Sequence, residues 1–276
     1  MNDSRHYSLL ERFRGTLLGA ELGYRLSRSP EDAPIWMGTS EREIAEQFAR
    51  IKTFKFDLDA VSLAPLFVSL LAAIQFHDDL DRLHEILSAV KPPESIVIAL
   101  TVASALRDRL DLNSLAEDFT QQHLDPNPWL EPVRHLLDRG SDVETAWRTL
   151  SSHPSSFPFA LYCILSSGGD WCGSVTRVCR WEIQSATHRL RERASVGIAT
   201  GAICGAYRTR SNVPVTNWSQ LDNLTELDEV AWKLWQGWSG RLEFDDWDGI
   251  DRSAVGLAGT LRPRSIEENR KWGIER

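Results

Sequence analysis

The chain has 276 residues, 42% hydrophobic and 25% charged, a composition that can bury a sizeable core. Its 39 acidic side chains outnumber 31 basic ones, and the net charge of −8 excludes a general nucleic-acid-binding surface. The longest apolar run, residues 61–76, is interrupted by Ser62, Pro65, Ser69 and Gln75. It falls short of the roughly 20 residues a spanning helix needs, so no membrane insertion is expected.

The first residues lack a basic start followed by an apolar run and a small-residue cleavage site, so secretion is not expected. The four cysteines, Cys163, Cys172, Cys179 and Cys204, form no CxxC pair, which argues against a zinc ribbon or a dithiol redox motif. Cys163 and Cys204 fall on apolar helical faces and read as small buried thiols. The expected compartment is the cytoplasm, where such thiols stay reduced.

Helical periodicity runs through the chain, with no convincing alternating strand. The first helix is predicted over residues 8–27, and Gly15, Gly19 and Gly23 recur in it at four-residue intervals. A polar loop with Pro30 and Pro34 ends at Trp36, and a capping box at Ser40 opens a helix to about residue 52. Residues 54–65 lead into an apolar helix ending near residue 77, with Ser62 as its cap and Pro65 in its first turn. Helices follow over 78–90 and 94–109, separated by Pro92 and Pro93. Asn113 is expected to cap a helix to about residue 123, and a further helix covers 129–139 with Gly140 as its stop. Ser141 begins a second capping box.

An apolar helix over 157–165 is followed by a turn at Gly168, Gly169 and Asp170 and a helix over 172–184. The next helix, 189–208, carries Gly197, Gly201 and Gly205, again four apart. Positions four apart share a helix face, so each set forms a smooth stripe. A helical glycine costs roughly 0.5–1 kcal/mol relative to alanine, so six of them need a reason. The simplest reason is that the two helices cross very closely at the centre of the fold. Later helices are predicted over 216–224 and 227–238, and residues 239–276 read as a largely irregular C-terminal extension. No linker divides the chain, and the expectation is one all-α domain over 1–276.

Three stretches, RFRGTLLGAELG at 12–23, FPFALYCIL at 157–165 and VGIATGAICGAY at 196–207 followed by VPVTNW at 213–218, occur in the order and spacing of a known family. The chain resembles the ADP-ribosylglycohydrolases, the group that includes dinitrogenase reductase-activating glycohydrolases. The resemblance implies an orthogonal multi-helix bundle. In active members it also implies a two-magnesium cleft that cleaves an N- or O-glycosidic bond to ADP-ribose. Those members supply metal ligands from a Gly-Asp after the first helix, a Thr-Asp-Asp-Thr before an apolar helix, and a Gly-Gly-Asp-Thr-Asp-Thr before the glycine-striped helix.

This sequence departs from all three motifs. Tyr24 follows Gly23 where the aspartate belongs. The second motif falls on DLDA at 57–60, leaving Asp59 in a ligand position and Asp57 in place of a threonine. The third falls on LRERAS at 190–195, where Glu192 and Ser195 can coordinate but Ala194 cannot, and Arg191 and Arg193 add positive charge. Magnesium is held by oxygen ligands, chiefly carboxylates. Guanidinium groups stay protonated and repel it. Neither catalysis nor a metal or other cofactor is therefore expected, the residual metal candidates being Asp57, Asp59, Glu192 and Ser195.

The arginine group Arg177, Arg180, Arg189, Arg191 and Arg193 can be read as a phosphate clamp or as a solvated, salt-bridged face. His188 lies near these arginines and reads as a surface or capping residue. The acidic run with Asp245, Asp246, Asp248 and Asp251 lacks the EF-hand pattern and reads as a polar turn. Of the eleven tryptophans, Trp232, Trp235 and Trp238 recur at helical spacing, as core residues or as a protein-binding anchor.

The expectation is a degenerate family member that binds either a protein partner or an ADP-ribose-like nucleotide, with Arg191, Arg193, Tyr24 and Asp57 at the ligand. One alternative is a residual glycohydrolase with Asp59 and Glu192 as acid and base, in which case magnesium would be its cofactor. The other is a structural subunit of a larger complex.

Overall fold

The computed structural model describes residues 8–27, 65–88, 93–155, 157–184, 190–218, 221 and 223–240. The side chains of residues 65, 180–184, 190–195, 215 and 217 fall outside that description. The helix expected from Ser40, the Ser62 cap, the acidic run from Asp245 and the extension beyond Gly240 lie outside the described residues.

Two central helices organise the packing. Helix α1 (Leu9–Leu26) starts at Ser8, whose hydroxyl accepts from the Glu11 amide, and every residue from Arg12 to Tyr24 except Arg14 is buried. It lies antiparallel against α10 (Leu190–Arg208), with Gly15 on Gly205, Gly19 on Gly201 and Gly23 on Gly197. A Cβ on Gly19 would sit 2.8 Å from the carbonyl carbon of Gly201, and one on Gly201 would sit 2.6 Å from that of Gly19. These are backbone atoms that no rotamer change can clear. The six glycines therefore let the two backbones touch, as their spacing predicts.

Around this pair lie α2 (Pro65–Gln75), α4 (Pro93–Leu106) and α8 (Phe157–Ser166), whose sequences are apolar on nearly every side. Such helices belong in an interior. Phe67, Leu70, Val97, Leu100, Phe159 and Leu161 are all essentially inaccessible. The outer helices α3 (Leu80–Leu87), α5 (Leu112–Gln121), α6 (Asn127–Asp138) and α7 (Val143–Leu150) bury one face each. Helix α9 (Trp171–Gln184) packs on α8 and α10, and α12 (Leu224–Ser239) closes over α1 and α2 after the single turn α11 (Val215–Trp218). The described residues contain no strand, so the fold is all-α.

Several caps fall one or two residues from their predicted places. Asp111, not Asn113, caps α5, accepting from the amides of Asn113 and Ser114 at 3.0 Å each. Asp142, not Ser141, caps α7, accepting from the Thr145 amide at 2.7 Å. The predicted stop at Gly140 is present, with φ of +59°. Cys163 and Cys204 are buried as expected.

Polar side chains tie the layers together. Arg12, 8% exposed, donates to the carbonyls of Ala105 (2.9 Å) and Leu106 (3.4 Å) and thereby closes the C-terminal end of α4. Asp118, also buried, accepts from Ser104 and from Arg107, the latter at 2.5 Å, and joins α4 to α5.

Candidate functional site

One end of the α1–α10 crossing holds the positions at which the sequence points to a site. Gly23 sits on Gly197, which brings the last turn of α1 against the second turn of α10. Tyr24 is buried in that last turn, with 8% of its surface exposed. Two residues upstream of Gly197 lies Ser195, and Arg191, Glu192, Arg193 and Ala194 complete the helical start of α10. Their side chains lie outside the described residues, and Asp57 and Asp59 lie outside them altogether. The structure thus brings the Tyr24 turn and the start of α10 to one end of the bundle.

The described polar groups here are engaged with one another. Ser27, at the C-terminal cap of α1, donates its hydroxyl to the Gly23 carbonyl at 2.7 Å and lies 3.5 Å from Cys179 Sγ of α9. Arg25 Nε donates to Glu21 Oε1 at 2.8 Å, and Glu21 is fully buried. Burying a carboxylate requires a paired charge, and this i,i+4 arginine supplies it. Glu21, Arg25 and Ser27 belong to no metal-ligand motif in the sequence. The only available signal was a charge inside a glycine-striped apolar helix. Among the described residues no group of three histidine, cysteine, aspartate or glutamate side chains converges as a metal site.

The Gly168-Gly169-Asp170 stretch is a turn, as predicted. Both glycines have positive φ, and Asp170 accepts from the Gly173 amide at 2.6 Å. The Gly168 carbonyl accepts from Arg208 and that of Gly169 from Asn212, which pins the turn to the far end of α10. Of the arginine group, Arg177 is described, and it donates to Ser166 Oγ at 3.3 Å.

The opposite end of the crossing carries an open groove of about 330 Å³ lined by Arg14, Leu224, Thr225, Asp228, Glu229 and Trp232. Asp228 accepts both of its bonds from Arg210 Nη1, at 2.8 and 3.1 Å, and also lies 3.7 Å from Arg14 Nε. The Arg210 guanidinium lies 4.2 Å from the centre of the Trp218 ring. The tryptophans of α12 differ in exposure. Trp238 packs on the core, donates to Asp78 Oδ2 at 3.2 Å and lies 5.3 Å from the His77 ring. Trp235 is half-buried, whereas Trp232 is 39% exposed.

No helix among the described residues is long and apolar enough to cross a membrane. A family model described as ADP-ribosylglycohydrolase matches residues 93–243, which span α4 to α12 and include the 157–165 and 196–218 stretches. No curated protein matches the chain. The match covers more than half of the sequence, its two internal stretches fall on buried helices α8 and α10, and the fold is all-α, so the chain belongs to the ADP-ribosylglycohydrolase family.

Proposed function

We propose that this chain is a family member without magnesium-dependent hydrolysis, a pseudoenzyme that works by binding. Its ligand on this reading is a protein partner or an ADP-ribose-like nucleotide held without metal. The observation that carries the reading is Tyr24, a buried phenol in the last turn of α1 where active members have an aspartate. A phenol offers a cation no carboxylate, the donor on which magnesium chiefly depends. A magnesium pair brings about +4 of charge and depends on several carboxylates. Asp57, Asp59 and Glu192 are the acidic residues left in the motif positions, and Arg191 and Arg193 flank Glu192. This donor set does not fit two magnesium ions.

The same substitutions suit a different use. Arginine forks match phosphate oxygens, so Arg191 and Arg193 would supply the counter-charge that metal supplies elsewhere in the family. The test combines a hydrolysis assay on ADP-ribosylated arginine with a thermal-shift titration. No release of ADP-ribose above a blank is expected with magnesium present, and measurable release overturns the proposal. ADP-ribose that binds only the native chain raises its melting temperature by mass action. A rise that is independent of magnesium and lost on Arg191→Ala/Arg193→Ala identifies the nucleotide as ligand. A flat titration at millimolar ADP-ribose leaves the protein partner.

A further inference from the structure

The groove between α1 and α12 lies at the other end of the glycine crossing from Tyr24, about 15 Å away along α1 at 1.5 Å per residue. Its principal apolar element is Trp232, which with Leu26 makes up the exposed large hydrophobic residues of the described chain. The indole leans on Trp235, with ring centres 5.0 Å apart and planes at 31°, so Trp232 is backed by a half-buried ring and stands at the groove wall. Exposed tryptophan on a rigid helix provides large contact area at small entropic cost and is enriched at binding hot spots.

The charges around it identify the occupant. One basic side chain and two acidic ones line the groove. Arg14 is offset by Glu11 Oε1 at 2.6 Å as well as by Asp228, and Asp228 is held by Arg210. Glu229 is exposed and has no ion pair among the described residues. It stands three residues before Trp232 on α12, so the two project from one face.

The chain itself shows what such a pair accepts. Beside the groove, Arg210 lies over Trp218 while both oxygens of Asp228 take its Nη1. Guanidinium stacked on indole and bonded to a carboxylate combines cation–π attraction with a charge-assisted hydrogen bond. Trp232 and Glu229 repeat the aromatic and the carboxylate and lack the arginine.

We propose that the α1–α12 groove is a protein-docking surface that takes an arginine side chain from a basic segment of a partner, with the guanidinium on Trp232 and paired to Glu229. The net charge of −8 favours a basic partner at longer range. Lysine fits less well, because a compact ammonium lacks the flat face and the fork. The surface is separate from the Tyr24 end, so it stands whatever the nucleotide titration gives.

The test uses the full chain and an acetylated, amidated peptide carrying two arginines spaced by glycine, read by the indole N–H resonances. The Trp232 resonance is assigned by its loss in Trp232→Phe. The arginine peptide should shift it, the lysine counterpart should bind several-fold more weakly, and the uncharged citrulline counterpart should not bind. Glu229→Gln, an exposed and conservative change, should weaken binding at least five-fold. Glu144→Gln on α7, remote from the groove, should leave it unchanged. The proposal is overturned by an unmoved Trp232 resonance at millimolar peptide, by equal binding of citrulline, or by equal weakening from Glu144→Gln. Sedimentation that shows self-association abolished by Trp232→Ala makes a second copy the occupant and also overturns it.

Discussion

Cys204 is fully buried in α10, and burial, outweighing a hydrogen bond from Ser174, pushes its thiol up to about 12. Cys172 is exposed at the start of α9. Thiolate is the reactive form, so at pH 8 only about one Cys204 in ten thousand is ionised, and that one is out of contact with water. Native protein treated with iodoacetamide should therefore be labelled at Cys172 and spared at Cys204 when mapped by mass spectrometry. Labelling of both at similar rates would show that α10 opens. Asp111 gives a second residue-scale test. Partial burial raises its pKa, but hydrogen bonds from Ser114 and Asn113 and the charge of Arg109 outweigh that, and the net direction is down. Asp111→Ala should cost about 1 kcal/mol at neutral pH, a usual value for a lost N-cap. A carboxyl with a depressed folded pKa stabilises above its unfolded value near 4 and loses that contribution as the pH falls through the folded value. The gap between wild type and Asp111→Ala in urea melts should accordingly narrow below about pH 4.

At the scale of elements the glycine crossing makes the sharpest demand. Gly201→Ala improves helix propensity by up to about 1 kcal/mol. It also drives a methyl group into the backbone of Gly19, and such overpacking should cost about 3 kcal/mol or more. Gly140→Ala meets no atom within 4 Å and should cost about 1 kcal/mol, from its φ of +59° alone. Comparing the two by urea denaturation separates close approach from backbone strain. The crossing was legible in the sequence because a four-residue spacing is the period of the helix itself, so Gly15, Gly19 and Gly23 announce a face whatever surrounds them. The caps were less legible. Asp111 and Asn113, or Ser141 and Asp142, are near neighbours that can all cap, and only the backbone geometry chooses. The groove was hardly legible, since it sets Arg14 of α1 against Asp228, Glu229 and Trp232 of α12, two elements that meet only after folding. At the Tyr24 end, the tyrosine after Gly23 could be read from the sequence, but the burial of Glu21 against Arg25 could not.

The whole molecule is built across the edge of its family match. Residues 93–243 contain α4 to α12, whereas α1, α2 and α3 precede the match. Yet α1 covers the glycine face of α10, supplies Arg12 to the end of α4 and lies under α12, and α2 packs on α4. A fragment of residues 93–243 would expose the glycine stripe and the apolar side of α4 together, and it would leave the Ala105 and Leu106 carbonyls without their arginine. Helices of this length depend on tertiary packing more than on their own propensity. The fragment should retain helical far-UV signal, bind a hydrophobic dye and melt without a sharp transition, the behaviour of a collapsed but unpacked chain. The full chain should melt cooperatively. Adding residues 1–92 in trans should restore some of the sharp transition, because the contacts being replaced are close backbone contacts, which form well or not at all. A fragment that melts cooperatively near the temperature of the full chain would show that α10 finds another cover, and the central place given to the α1–α10 crossing would then be wrong.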